Sequence, residues 1–313
     1  EIQRIKNPGA GVTMAARLIY PRSRWGLSGT PLENKLEDVI SIFAYLKPGL
    51  LKSVHADQPR FVKDRIRAHF LRRRAADVLP ELPEKVSHEV WLDLTPSQRA
   101  SYDEALHAGR AELSRHRTVP HVFALIGKLK QICNLDPATG ESAKLEYLIE
   151  QLEELGESGE RALVFSQYPG KTLTKIEPQL QRFKPQIFDG HLSDKQRDRL
   201  VQQFQEEDIA NVLLMSVKAG GVGLTLTRAN HVFHFDLWWN PATALQAEGR
   251  AHRIGQQKTV FVKTLYTVDT IEERIHRLLA KKQALFQEVI DDLTDMHWDT
   301  MHRQEELFGL FDL

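Results

Sequence analysis

The 313-residue chain holds one cysteine, Cys133, which excludes an intrachain disulfide and a cysteine-rich zinc site and fits a reducing compartment. Long apolar runs are missing as well. None approaches the ~18–20 residues of a membrane span, and no secretory leader is visible. An excess of one charge is absent, because 42 Lys and Arg balance 42 Asp and Glu. Whole-chain charge therefore names no partner. There are no internal repeats and no low-complexity segments. What remains is an ordinary globular composition, 42% apolar and 27% charged. Its length suits about two domains at roughly 150 residues each. The first residue, Glu1, opens directly onto a dense motif, so the expectation is a piece whose upstream part lies outside these residues.

The zero net charge hides an uneven distribution. Residues 60–74 carry seven basic residues (Arg60, Lys63, Arg65, Arg67, Arg72, Arg73, Arg74) against Asp64, a local +6. Such a cluster reads as a solvated helix face, an intramolecular clamp or a nucleic-acid contact, and charge alone leaves all three open. Residues 285–313 hold eight acids against Arg303, a local −7. That tail also carries Leu307, Phe308, Leu310 and Phe311, which are expected to dock on the body.

Beyond residue 140, strand and helix signals alternate. Leu145, Leu148, Ile149, Leu152 and Leu155 share one helical face. Short apolar runs at 161–166, 186–189, 211–216, 231–236 and 259–266 read as buried strands. Helices are predicted around Leu173–Phe183, around Leu200–Phe204, and from Thr270 to about Ile290. Continuous apolar strands between amphipathic helices predict a parallel α/β sheet covered on both faces. Upstream, residues 25–28 read as a strand and Leu36, Val39, Ile40, Phe43 and Leu46 stripe a helix. Residues 50–135 read as helical, interrupted at Pro80, Pro83, Pro96 and Pro120, with a strand-like exception at 86–94.

Three segments carry chemistry. Arg250 and Arg253, at i and i+3 in Gln246–Gln256, are expected to project from the same side of a helix, where they can reach a single polyphosphate. Phosphoryl transfer needs such cations, worth ~10³–10⁵ in rate, and a carboxylate to position water, which Glu1 fits. A surface salt-bridge ladder is the competing reading of the arginines. Gly220, Gly221 and Gly223 follow the strand ending at Ser216, where bare backbone lets N–H groups approach a phosphate. A plain tight turn explains them equally, and Leu226 in place of a third glycine spoils a dinucleotide pattern. Gly170-Lys171-Thr172 ends like a phosphate-binding loop but has Phe165 where the earlier glycine is required. The 313 residues thus contain no complete ATP-binding loop.

Together these segments resemble the Swi/Snf family of superfamily-two helicase-like ATPases, which includes DNA translocases and chromatin remodellers. Glu1-Ile2-Gln3 is similar to the end of the family's Asp-Glu-x-His/Gln box, and LSGTPLEN (27–34) to its motif III. LRRR (71–74), LPEK (82–85) and LTPSQ (94–98) resemble its helical insert, and ICN (132–134) and KL (144–145) its second-lobe entrance. VFSQ (164–167), GGVG (220–223) and RAHRIGQ (250–256) match motifs IV, V and VI. Gly249 in place of the usual Asp, and Gln3 in place of the commoner His, are minor departures. The compact insert and the terminal LFGL (307–310) resemble bacterial members.

The resemblance implies two RecA-like lobes with ATP and Mg²⁺ between them, the metal-binding Asp lying upstream of residue 1. It divides the chain into the end of lobe one (1–50), a helical insert and linker (51–140), lobe two (141–268), and a helical brace with acidic tail (269–313). It makes Glu1, Arg250 and Arg253 catalytic, with Gln3, Ser28, Gly29, Thr30, Gly221, Gly223 and Gln246 in nucleotide binding or coupling. Lys218, Trp239, Ser193 and Arg197 would face double-stranded DNA, gripped through its phosphates with little sequence preference. A core role for Trp239 stays open beside this, because Trp238 adjoins it. The place implied is cytoplasmic, at the nucleoid in a bacterium, or nuclear in a eukaryote. The function implied is ATP-driven double-stranded DNA translocation. A strand-separating helicase and a non-catalytic nucleic-acid-binding remnant are the alternatives.

Overall fold

The computed structural model describes residues 2–28, 36–55, 58–71, 73, 79–207, 211–216, 223–239, 241–289 and 304–311. The chain divides into two compact units, Glu1–Val78 with Gln283–Arg303, and Leu79–Lys282 with Gln304–Leu313.

The first unit contains helices α1 (Gly11–Arg17), α2 (Leu36–Leu46) and α3 (Pro59–Ile66). Leu36, Val39, Ile40 and Phe43 fall at helical spacing and bury one face of α2 against Leu51, Val62 and Ile66. The strand expected at 25–28 belongs to no ladder among the described residues, and Trp25 and Leu27 are exposed. A strand needs a neighbour offering a row of backbone partners. Here the Leu27 carbonyl accepts from the Ile2 N–H at 2.9 Å, within a helical turn rather than a strand.

The second unit is built on six parallel strands: β1 (Lys85–Leu92), β2 (Ala162–Ser166), β3 (Pro185–Phe188), β4 (Val212–Ser216), β5 (His231–His234) and β6 (Val260–Thr267). Their order is β1-β6-β5-β2-β4-β3. The two-residue side-chain period divides the sheet cleanly. Ala162, Val164, Val212, Leu214, Phe233 and Leu265 enter one core, while Leu163, Phe165, Leu213, Met215, Val232 and Val262 enter the other. The interior strands β2 and β4 are buried along their whole length, as a parallel sheet covered on both faces requires, whereas the edge strand β1 is partly exposed.

Helices α4 (Pro96–Arg115), α5 (Val119–Asn134), α6 (Ala143–Glu157), α7 (Asp194–Glu206), α8 (Pro241–Glu248), α9 (Ile271–Val289) and α10 (Gln304–Gly309) surround the sheet or extend from it. Leu145, Leu148, Leu152 and Leu155 of α6 join the first core, as the periodicity predicts. Each such leucine stabilises the fold by about 1.5–3 kcal/mol relative to exposure. Pro96 and Pro120 stand in the first turns of α4 and α5, where a missing N–H costs nothing. The helix predicted over 173–183 is instead a succession of π, α and 3-10 turns. Pro178 has no N–H for a continuous α ladder. The strand-like segment after Pro83 became β1, paired in register with β6, Lys85 opposite Val260. The acidic tail docks as expected. Leu307, Phe308, Leu310 and Phe311 are buried, and the Arg274 guanidinium donates to the Leu310 carbonyl at 2.8 Å.

Candidate functional site

Because every strand runs the same way, the segments after β2, β4 and β5 emerge on one rim, the usual working edge of an open α/β sheet. The chain turns right from β2 towards β3 and left from β5 towards β6, so β2 and β5 flank the switch point. Ser166 and Gln167 follow β2 there, and Asp236 follows β5.

Asp236 is fully buried and accepts from the Ser166 hydroxyl, the Asn134 amide at 3.2 Å and the Gln167 backbone N–H at 3.1 Å. The next carbonyl, Leu237, accepts from the Lys130 ammonium and from the Gln167 amide at 2.6 Å. Burial pushes the Lys130 ammonium below its ordinary pKa, against the opposing pull of Asp236. Deeper in the same unit, Lys144 and Glu272 form a 2.7 Å ion pair with both side chains at 0% exposure. Glu272 also accepts from the Thr267 N–H and hydroxyl, so its remaining lone pairs are satisfied.

Trp238 and Trp239 part company at this rim. Trp238 is buried against Phe165 and His234, whereas Trp239 is half-buried with its ring edge-on to Phe123 of α5 at 6.3 Å. Phe123 and Lys130 lie seven residues apart on one face of α5 and both hold this loop.

The helix expected to carry Arg250 and Arg253 ends at Glu248, and both arginines lie on the turns beyond it, where the glycine loop and the arginine string meet. Leu226 donates its N–H to the Arg250 carbonyl at 2.9 Å, and the Arg253 guanidinium lies 3.4 Å from the Gly223 carbonyl and 3.3 Å from that of Leu224. Gly223 has φ +75° and Gly255 φ +99°, left-handed conformations that only glycine adopts without strain. Arg253 is exposed, and Arg250 and Gln246 are half-buried. Among the described residues Arg253 contacts those two carbonyls and has no carboxylate partner, unlike a ladder residue. The Gln256 side chain fixes the end of the string by donating to the carbonyls of Thr227, Ala229 and Ala251.

In the first unit the Ser28 hydroxyl donates to the Gln3 side-chain oxygen at 2.8 Å, joining the two motifs the sequence singles out. Ser193 forms a capping box with Gln196 at the start of α7, and Arg197 lies 3.5 Å from Asp194. Glu1, Gly29, Thr30, Lys218 and Gly221 lie outside the described residues, as do Arg72 and Arg74.

Sequence reasoning gave no site role to Asp236, Lys130, Glu272 or Glu248, and met Asn134 and Lys144 only within the ICN and KL strings. For two of them a signal existed. Asp236 interrupts the apolar run His231–Trp239, and Lys130 falls on the helical face shared by Ile126 and Cys133. Glu248 is buried at the end of α8, where its carboxylate meets Lys85 at 2.6 Å and His234 at 3.3 Å. Burial alone would raise its pKa, but the His234 and Lys85 contacts outweigh it and hold the group below the ordinary value.

A doubly covered parallel sheet, with glycine loop and arginine string joined beside it, defines the RecA-like lobe of a helicase-type ATPase. Residues 1–138 match the SNF2-related domain, and residues 143–255 match the helicase conserved C-terminal domain. The SWI2/SNF2 ATPase core of Sulfolobus solfataricus, solved in complex with dsDNA, is 31% identical; the match covers 100% of this chain and 72% of that one, with a TM-score of 0.59. The putative ATP-dependent helicase/translocase YwqA of Bacillus subtilis is 35% identical over 346 residues, 100% of this chain and 37% of that protein. An uncharacterized ATP-dependent helicase of Mycoplasma pneumoniae is 34% identical over 335 residues, 100% of this chain and 32% of that protein. The chain belongs to the Swi/Snf family. It spans about a third of the length of these curated relatives.

Proposed function

We propose that this chain is the arginine-bearing half of an ATP-driven double-stranded DNA translocase, whose phosphate loop comes from sequence outside these 313 residues. The observation carrying this reading is the junction of the glycine loop with the arginine string, Leu226 to Arg250 and Arg253 to Gly223 and Leu224. Planar guanidinium groups beside flexible glycine backbone suit a polyphosphate. When bound, ATP supplies a phosphoryl group for transfer to water. Arg253 and Arg250 are the residues for its developing negative charge, Gln246 flanks them, and Glu1 is the base that orients the water. Gln3 and Ser28 link that acidic box to motif III, with Gly29, Thr30, Gly221 and Gly223 as the backbone nearest the nucleotide. Mg²⁺ is the metal proposed to accompany the ATP.

Double-stranded DNA is the proposed track, with Trp239 and Lys218 as its contacts and Ser193 and Arg197 as secondary ones. No helix among the described residues is long and apolar enough to cross a membrane. These 313 residues alone are expected to bind DNA in a salt-sensitive way and to show no ATP turnover. Contaminant-free ATPase activity from the isolated chain contradicts that division of labour. For the longer protein, triplex displacement without unwinding of a forked duplex is the expected result. Unwinding would make it a strand-separating helicase, and DNA binding with no turnover a non-catalytic remnant.

Trp239 tests the mechanical side. Its half-buried ring, steadied by Phe123, is available to lie against sugar edges without reading bases. Trp239→Ala in the longer protein is expected to keep most ATPase activity and lose translocation per ATP hydrolysed. Triplex displacement measured beside ATP turnover gives that ratio; equal losses of both would make Trp239 a structural residue.

A further inference from the structure

The connector that opens the second unit, residues 79–85, is tied to the arginine string at two points. The His252 ring Nε2 donates to the Pro83 carbonyl at 2.8 Å, and the Lys85 ammonium sits 2.6 Å from the Glu248 carboxylate. Between them, the Glu84 carbonyl accepts the Val260 N–H at 2.9 Å, which locks the connector to the start of β6. Glu248 lies two residues before Arg250, and its second oxygen faces His234 of β5 at 3.3 Å. The string 248–256 is therefore fastened at its start by Lys85 and His234, at its middle by Pro83 and Leu226, and at its end by Gln256. Arg250 and Arg253 lie inside this frame.

We infer that Lys85 is a positioning residue for Arg250 and Arg253, acting through Glu248, so that the segment opening the second unit also sets the reach of the arginines. The inference rests on the phosphate-directed role proposed for those arginines. Its physical basis is geometric. Stabilising charge in a transition state tolerates little displacement, and a 1 Å error costs on the order of 10²-fold in rate. The Lys85–Glu248 contact suits the task because its side chains are only 27% and 10% exposed, where a charge-assisted bond is screened less than at the surface. The connector follows one of the three places where the chain passes from one unit to the other.

The test uses the longer protein with its complete ATP site. Lys85→Met is expected to lower kcat for DNA-stimulated ATP hydrolysis roughly 10- to 100-fold. The KM for ATP and the melting temperature should change little. Lys85→Arg should recover most of the rate, because a guanidinium still reaches the carboxylate. If Lys85 acts through the arginines, adding Lys85→Met to a variant that carries both Arg250→Ala and Arg253→Ala should make it no slower. Full turnover in Lys85→Met beside a crippled Arg253→Ala overturns the inference and leaves the role of the arginines standing. Additive losses, or a loss that follows a lowered melting temperature, overturn it too. Normal turnover in Arg253→Ala overturns both readings. Should Lys85→Met fail to fold, Glu248→Gln carries the same test while keeping the size of the buried side chain.

Discussion

Arg253→Ala and Arg250→Ala, each made in the longer protein, are expected to cut DNA-stimulated ATP turnover ~10³-fold. Affinity for ATP should fall far less, because the guanidinium acts mainly on charge that develops in the transition state. Steady-state kinetics separate the effects: a lower kcat at nearly constant KM marks an interaction made only in the transition state. Lysine replacements should rescue poorly, since a point charge cannot reproduce a planar bidentate contact. The surroundings favour this over the salt-bridge ladder. Arg253 is exposed, its contacts to the Gly223 and Leu224 carbonyls are long, and no carboxylate among the described residues claims it. A pair of alanine variants with near-normal turnover would return both arginines to the ladder reading.

The second large effect is on stability. Lys144 and Glu272 bury opposite charges completely, 2.7 Å apart, and each is held by further hydrogen bonds to Asn134 or Thr267. Lys144→Ala strands the Glu272 carboxylate in a site closed to water. The expected cost is about 3–5 kcal/mol, or roughly 6–20 °C in melting temperature for a unit of this size. Removing both charges with residues of similar volume, Lys144→Met with Glu272→Leu, should recover much of that loss, because the desolvation penalty vanishes with the pair. Thermal unfolding of the single and double variants decides it. A Lys144→Ala variant that melts within 2 °C of the parent would show that water reaches the pair, and a double variant less stable than the single would show that the bonds from Thr267 to Glu272 outweigh the desolvation penalty.

The pair also shows where reading the sequence stops. Lys144 and Glu272 are 128 positions apart; the KL string marked Lys144 as part of a motif, but nothing local showed that its charge is buried or that Glu272 is its partner. Asp236 and Asn134 meet only because α5 lies against the switch point between β2 and β5. By contrast, the strands at β2, β4, β5 and β6 were legible because each is a short apolar run, and a parallel sheet buries both faces of its strands. The α6 face was legible because leucines at 3.6-residue spacing have one way to be buried together. The strand expected at 25–28 failed for the same kind of reason: its residues suit a strand, but a strand exists only where a neighbour pairs with it.

The amino-acid order by itself determined the alternation of elements, the doubly covered sheet, the docking of the apolar tail and the family. These rest on local periodicity and on short strings, such as RAHRIGQ, whose chemistry is contained in their own residues. Tertiary structure alone decided which tryptophan is buried, which charges are paired in the interior, and that Pro83 and Lys85 hold the arginine string. Burial and pairing depend on groups brought together from distant positions. The cost of an unpaired interior charge becomes definite only once the surrounding water has been excluded.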